Sequence, residues 1–380
     1  MIDFNFDKYC YSCKACDAVC PTEAIRFNYL QKPIVDKNKC IDCHMCEKVC
    51  GFLNEKPYSK RIDAKGSFVC KNKDFQERVG SSSGGVFIEL AKIALKKGWY
   101  VAGVVYDEEM MPKHIISNKL EDIMQMKGSK YVTSDLGDTL KIIKNLRAKD
   151  IPVLFTGTPC QVSSVANVFE HDEGILKVAI VCHGTIDRNI WRRYLREEEE
   201  TNGKIVYASM REKGNGWLNY GLHFKYEDGS EKKTYKNQDG YLLNCFTQGM
   251  FERERCLNCK YKGSNISCDI LLGDAWGMDK EYSSLEDGMG LSDVICLTNE
   301  GNDFFGLIGD SLDLCNASSE SIIEKNQRIV SPAPLNIKRF VINWELKRDK
   351  HNVHEVCEKY YKHKLLDRLI NKALRVVKRR

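Results

Sequence analysis

Two kinds of apolar spacing alternate along the middle of the chain. Val86, Phe87, Leu90, Ile93 and Ala94 recur at helical intervals, Gly98 follows as a stop, and Ser81 to Ser83 stand where a cap for that helix is expected. Trp99 to Tyr106 is then a nearly unbroken apolar run, the mark of a buried strand. The unit repeats, with Ser134 as the cap, a helix carrying Leu140, Ile142, Ile143 and Leu146, and a strand from Ile151 to Thr156 that ends in the loop GTPCQ. A short helix leads to a third apolar strand, Leu176 to Val181, ending in CHG. Helices alternating with apolar strands predict a mostly parallel sheet covered on both faces.

The flanks read differently. Residues 204 to 235 predict antiparallel strands around a DGS turn, added to that sheet or beside it, and DVICLTNEG predicts one more strand. Residues 56 to 79 are polar and lysine-rich, as a linker is. The last 45 or so residues predict helix. Near the start, AIRFNYLQKPIVD reads as strand, turn, strand.

A chain of 380 residues with 43% hydrophobic content predicts two or three soluble domains. Its formal charge of +5 is a property of the tail: residues 335 to 380 net +9 and the remainder nets −4. A nucleic-acid binder would carry its basic stripe on the folded body, so that class is excluded. No apolar run is long enough to cross a bilayer, and no secretory leader is evident, so the expected location is the cytoplasm. The tail from His363 places Leu365, Leu366, Leu369, Ile370, Ala373 and Val377 on one helical side among cations. Such a helix either touches a membrane surface peripherally or closes the fold with a solvated face.

The 18 cysteines change the picture most. In a reducing compartment, clustered cysteines are metal ligands more often than disulfides. Residues 10 to 21 read C-x2-C-x2-C-x3-C-P, the bacterial ferredoxin run for two 4Fe-4S clusters, and the spacing recurs from Cys40. Each run gives three ligands to its own cluster and its fourth to the twin. The assignment is therefore Cys10, Cys13, Cys16 and Cys50 for one, and Cys40, Cys43, Cys46 and Cys20 for the other. The second run ends in Cys50-Gly51 instead of Cys-Pro. Zinc knuckles fit poorly, because zinc takes four ligands in two separated pairs.

A third ligand set emerges from the strand ends. Ligands of parallel sheets bind beyond the carboxyl ends of the strands, and Cys160 and Cys182 follow two successive strands. Cys256 and Cys259, a C-x2-C pair, complete a tetrathiolate for a third 4Fe-4S cluster. The competing reading has Cys160 and Cys182 as core residues and zinc on Cys256, Cys259 and Cys268. Phosphate recognition has its own candidates. GSSSGG, with Ser81, Ser82, Ser83, Gly84 and Gly85, opens a helix whose amides suit an anion, and KGSKYV adds Lys127, Ser129, Lys130 and Tyr131. No G-x-G-x-x-G follows a strand, which argues against direct NAD use.

SSSGGVF, KGSKYV, FTGTPCQV, VCHGT, CLNCKYK and DILLGDAWG, in that order, resemble the coenzyme F420 hydrogenase/dehydrogenase β-subunit family over about residues 65 to 300, with a two-cluster ferredoxin domain fused in front. The resemblance implies a flavin, usually FAD, beside a 4Fe-4S cluster on Cys160, Cys182, Cys256 and Cys259. GSSSGG and KGSKYV then become flavin contacts with Thr158 close by. His183 of CHG and Asp274 and Trp276 of GDAWG fall where a substrate pocket is expected, His183 and Asp274 as the catalytic candidates. Their plainer alternatives are a satisfied histidine, a turn aspartate and a packing tryptophan.

The expected fold is an α+β and α/β assembly. A ferredoxin-type domain occupies 1–55, the two parts of an α/β flavin-binding domain 65–200 and 201–334, and a basic helical tail 335–380. The expected activity is an iron-sulfur flavoprotein oxidoreductase in which electrons pass from the N-terminal clusters through the third cluster to the flavin, which exchanges a hydride with an organic substrate or deazaflavin. A ferredoxin or a partner oxidoreductase subunit would be the donor. The alternative is a relay that feeds a separate partner enzyme.

Overall fold

In the computed structural model the described residues are 1–170, 173–278, 280–347 and 351–362; the segment from His363 onward lies outside them. The N-terminal unit is built around β1 (Ile25–Phe27) and β2 (Pro33–Val35), paired antiparallel as the strand-turn-strand pattern predicts. One-turn helices Ala15–Ala18 and Met45–Lys48 occupy equivalent places in the two cysteine runs. The repeat extends to the backbone. Ser12 and Lys14 in the first run, and Asp42 and His44 in the second, all take the left-handed conformation, which non-glycine residues adopt only where surrounding structure enforces it.

The body holds β3 (Gly66–Asn72), β4 (Tyr100–Tyr106), β5 (Pro112–Ser117), β6 (Val153–Gly157) and β7 (Ile175–Ile180). These are followed by β8 (Ile205–Glu212), β9 (Gly221–Tyr226) and β10 (Glu231–Tyr235), then β11 (Ile270–Asp274), β12 (Ser292–Cys296) and β13 (Leu312–Asn316). Eight of these form one sheet in the order β13-β3-β12-β11-β7-β6-β4-β5. The four strands β11, β7, β6 and β4 run parallel at its centre, with antiparallel strands on both sides. Strands β8, β9 and β10 form a separate antiparallel sheet beside it.

Strand alternation divides the core. Val101, Leu154 and Leu176 face one layer with the helix Val86–Lys96, whereas Ala102, Phe155 and Ile175 face the other with Leu140, Ile143 and Val162. Each fully buried Leu, Ile or Phe contributes about 1.5–3 kcal/mol of transfer free energy, so the continuous apolar runs predicted the central strands well. All five residues of β6 are buried.

Four local expectations fail, three of them for identifiable reasons. Residues 66–72, read as part of a polar linker, form β3, inserted between β12 and β13; the backbone ladder and buried Val69 and Cys70 hold it there despite Lys71 and the flanking Lys65 and Lys73. Ser81 to Ser83 do not cap the helix, whose N-cap is Gly85 at φ 79°; their hydroxyls are engaged elsewhere. Ser134 does not cap Thr139–Arg147 either, because its hydroxyl donates to His114 Nδ1 at 3.1 Å and accepts from Gln161 Nε2 at 2.9 Å. Ile142, expected inside, is exposed. In the tail, Lys338–Lys347 and Val353–Lys362 are helical.

Candidate functional site

The carboxyl ends of β6, β7 and β11 open onto one interior cavity of about 260 Å³. Adjacent pairing of β6 with β7 brings Cys160, in the first turn of the helix after β6, beside Cys182, just past β7. The one-turn helix Glu254–Leu257 and the loop after it bring Cys256 and Cys259 to the same wall. Burial, reinforced by the neighbouring thiols of the set, pushes Cys160, Cys182 and Cys259 up to about 12, with Lys262 opposing the rise at Cys182 and Cys259. Coordination to a cation would ionise these thiols. Cys268 is buried, is not on the cavity wall and has Asp269, Lys177 and the Cys296 thiol as its surroundings. The structure thus separates it from the other four thiols.

In the N-terminal unit Cys10, Cys13, Cys16 and Cys50 are likewise within electrostatic reach of one another, and burial first, then that proximity, raises the thiol pKa values of Cys13 and Cys16. The Ser12 amide donates to Cys10 Sγ at 3.3 Å, and the Ala24 amide to Cys20 Sγ at 3.3 Å. Of the other set, Cys46 is buried, Cys20 and Cys40 are half-buried and Cys43 is exposed. Among the described residues no three metal-binding side chains converge on a single-ion position, as a mononuclear tetrahedral site with ligands ~2.3 Å from its centre would require. Sets of four cysteines without other donors are the ligand chemistry of iron-sulfur clusters.

The same cavity is lined by all but one of the flavin candidates: Ser81, Ser82, Ser83, Gly85, Lys127, Ser129, Lys130, Tyr131 and Thr158 line it, and Gly84 does not. Gly84 is required by packing, since a Cβ there would meet the Cys70 carbonyl at 2.5 Å and the Ser292 amide at 2.9 Å. The two loops are tied together by Ser82, whose hydroxyl lies 2.8 Å from Ser129 Oγ and accepts from the Ser129 amide at 2.7 Å. Ser83 meets Ser292 Oγ at 2.9 Å. With no side chain capping the helix Val86–Lys96, its first amides stay available to an anion. The lysines do not supply the charge. Lys127 pairs with Glu77 at 2.5 Å, and Lys130 donates to the carbonyls of Gln125, Met126 and Lys127.

Thr158 Oγ1 lies 3.2 Å from Cys160 Sγ, placing it at the junction of the thiol and loop walls. His183 Nε2 is 3.1 Å from the buried Glu252 Oε1, and the ring stands edge-on to Phe246. Asp274 is paired with Arg211, and Trp276 stacks on Trp217 at 4.7 Å rather than lining the cavity.

Sequence reasoning missed Arg211. It sits within β8 with no motif around it, yet its buried guanidinium donates to Asp274 at 3.0 Å, to the Ser82 carbonyl at 2.6 Å and to Tyr131 Oη at 3.1 Å. Tyr220 lies beneath it at 4.1 Å. It also missed Lys262, which donates to the carbonyls of Cys182 and Arg328, and Tyr261; both lie within the quoted CLNCKYK.

The paired cysteine runs, their symmetric backbone and the thiol-lined strand ends define an iron-sulfur electron-transfer protein with an α/β body. Residues 9–52 match the 4Fe-4S dicluster domain. Residues 67–141 match the N-terminal part, and residues 152–317 the C-terminal part, of the coenzyme F420 hydrogenase/dehydrogenase beta subunit. The chain belongs to the coenzyme F420 hydrogenase/dehydrogenase beta-subunit family, a family of oxidoreductase subunits. It is 21% identical over 369 residues to the F subunit of the F(420)H(2) dehydrogenase of Methanosarcina mazei, covering 92% of this chain and 93% of that protein. It is 23% identical over 238 residues to an uncharacterised protein of Methanocaldococcus jannaschii, covering 50% of this chain and 63% of that one. A chain in the xenon-derivatised F420-reducing NiFe hydrogenase complex of Methanosarcina barkeri aligns at TM-score 0.47 and 17% identity, over 72% of this chain and 93% of that one. Among the described residues no helix is long and apolar enough to cross a membrane.

Proposed function

We propose that this chain is a flavin-dependent iron-sulfur oxidoreductase subunit acting on a deazaflavin or related organic substrate. The observation that carries the reading is one cavity lined by Cys160, Cys182, Cys256 and Cys259 together with residues of the Ser81–Gly85 and Lys127–Tyr131 loops. Cys10, Cys13, Cys16 and Cys50 hold one 4Fe-4S cluster, Cys20, Cys40, Cys43 and Cys46 a second, and the cavity thiols a third. When bound, the clusters supply one-electron and the flavin, most simply FAD, two-electron chemistry.

The residues divide the remaining work. Free amides at the start of the helix Val86–Lys96 receive the cofactor's phosphate, and Ser82, Ser83, Ser129 and Tyr131 shape the loops along it. Arg211 fixes Asp274 and both loops in one arrangement. His183 lines the cavity with its Nε2 3.1 Å from the buried Glu252 carboxylate. The relative named as part of a dehydrogenase supports a partner redox protein, ferredoxin or another subunit, reaching the exposed side at Cys43.

The same exposure also suits the second reading, a relay that serves a separate enzyme. Anaerobic purification followed by iron and flavin analysis tests cofactor content. Turnover of the isolated chain with an artificial donor and a deazaflavin acceptor separates the readings: a relay reduces only its partner.

A further inference from the structure

Gly51 occupies the place that Pro21 holds in the first cysteine run. Its backbone is outside the left-handed region, so conformational freedom does not explain the glycine. Space does. A Cβ on Gly51 would meet Tyr261 Oη at 1.9 Å and Cζ at 3.0 Å, and a proline ring would be worse.

The phenol seated there lies between two thiol sets. Tyr261 lies against Gly51, next to Cys50, and lines the cavity together with Cys160 and Cys259; Cys13, Cys50, Cys160 and Cys259 all act on its hydroxyl electrostatically. The seat is braced from both domains. Tyr11 meets Tyr261 edge-on at 4.8 Å and carries Arg255 over its face at 4.3 Å. Arg253 donates to the Cys10 carbonyl at 2.9 Å and to Ser12 Oγ at 2.8 Å. In the twin set Cys43 is exposed, and so is Pro21, the counterpart of Gly51.

We propose that the Cys50-containing set is the face through which the ferredoxin-type domain exchanges electrons with the body, and that Gly51 replaces the expected proline so that Tyr261 can pack between the two thiol sets. The inference rests on the proposed third cluster and deepens it by assigning an order to the two N-terminal sites. Each transfer oxidises the group on one side of Tyr261 by one electron and reduces the group on the other by one, with no bond made or broken. Tyr261 and Gly51 are positioning residues.

The test uses the full, cluster-loaded chain as wild type, Gly51→Ala, Tyr261→Phe, Tyr261→Leu, the double variant Gly51→Ala/Tyr261→Phe, and Pro21→Gly as the pseudo-symmetric control. Iron and flavin are counted first. The magnetic interaction between reduced clusters is then read by electron paramagnetic resonance, and flavin reduction is followed after mixing with a low-potential protein donor. Gly51→Ala should weaken the interaction and slow flavin reduction several-fold. Adding Tyr261→Phe should restore both, because the hydroxyl the new methyl would strike is gone; a merely structural loss at Gly51 would not be rescued in this way. Tyr261→Leu leaves Gly51 unhindered and should be slow, so the proposal remains testable if Gly51→Ala fails to fold. Pro21→Gly should behave as wild type. Wild-type coupling and rate in Tyr261→Leu, or a larger defect in Pro21→Gly than in Gly51→Ala, overturns the inference while leaving the third cluster in place. Iron for only two clusters in the wild type removes the third cluster and this inference with it.

Discussion

Arg211 Nη2 lies 3.0 Å from Asp274 Oδ1, joining the end of central strand β11 to the neighbouring antiparallel sheet. Because the same guanidinium holds the Ser82 carbonyl and Tyr131, the pair sets the distance between both candidate cofactor loops. Removing Asp274 leaves a buried cation without its partner. Asp274→Ala should therefore cost about 2–3 kcal/mol, below the upper range for a fully buried pair because the carboxylate is partly exposed. Arg211→Lys should retain more stability than Arg211→Ala yet lose flavin, since an ammonium cannot reproduce the guanidinium fork. Thermal unfolding beside flavin content checks both, and Asp274→Ala melting with the wild type would refute the clamp.

Three clusters require about 12 iron atoms per chain together with one flavin. Anaerobically reconstituted protein with about eight irons would eliminate the third cluster, and stoichiometric zinc would favour the zinc site.

Cys259 and Cys268 should separate cleanly. Cys259→Ser should lower iron by about four atoms per chain, whereas Cys268→Ser, away from the cavity wall, should leave the count unchanged. Iron loss in Cys268→Ser would return that thiol to the ligand set.

His114 gives a pH signature. Burial pushes its pKa down to about 4, with the Thr156 carbonyl and Asp135 opposing that shift and Lys130 reinforcing it. Neutral His114 donates from Nε2 to Thr156 O and accepts from Ser134 at Nδ1. Because the folded pKa is the lower one, its contribution is intact above the unfolded value of ~6.5 and is lost as pH falls from there toward 4. Chemical denaturation across that window should show declining stability in the wild type and a flatter profile in His114→Gln. Equal slopes would remove His114 from the pH response.

The central strands could be read because β6 and its neighbours are buried on both faces, which demands continuous apolar runs that few other structures produce. β3 could not. Lys71 and the flanking Lys65 and Lys73 look like a linker, and only pairing with β12 and β13 reveals a strand. Ser82 and Ser83 of GSSSGG read as helix caps but bond between loops instead, because cap chemistry and loop-to-loop hydrogen bonding use the same hydroxyl. Arg211 left no trace in the pattern, since its partners are 63 and 129 residues away along the chain.

The sequence by itself determined the two N-terminal thiol runs, their pseudo-repeat and the strand-end cysteines, because ligand spacing and strand periodicity are local properties of the chain. Tertiary structure alone decided that Cys256 and Cys259 meet Cys160 and Cys182 while Cys268 does not, that Arg211 clamps Asp274, and that Gly51 receives Tyr261. These are contacts between segments far apart in the chain, and packing selects them only when sheet order brings those segments to one rim.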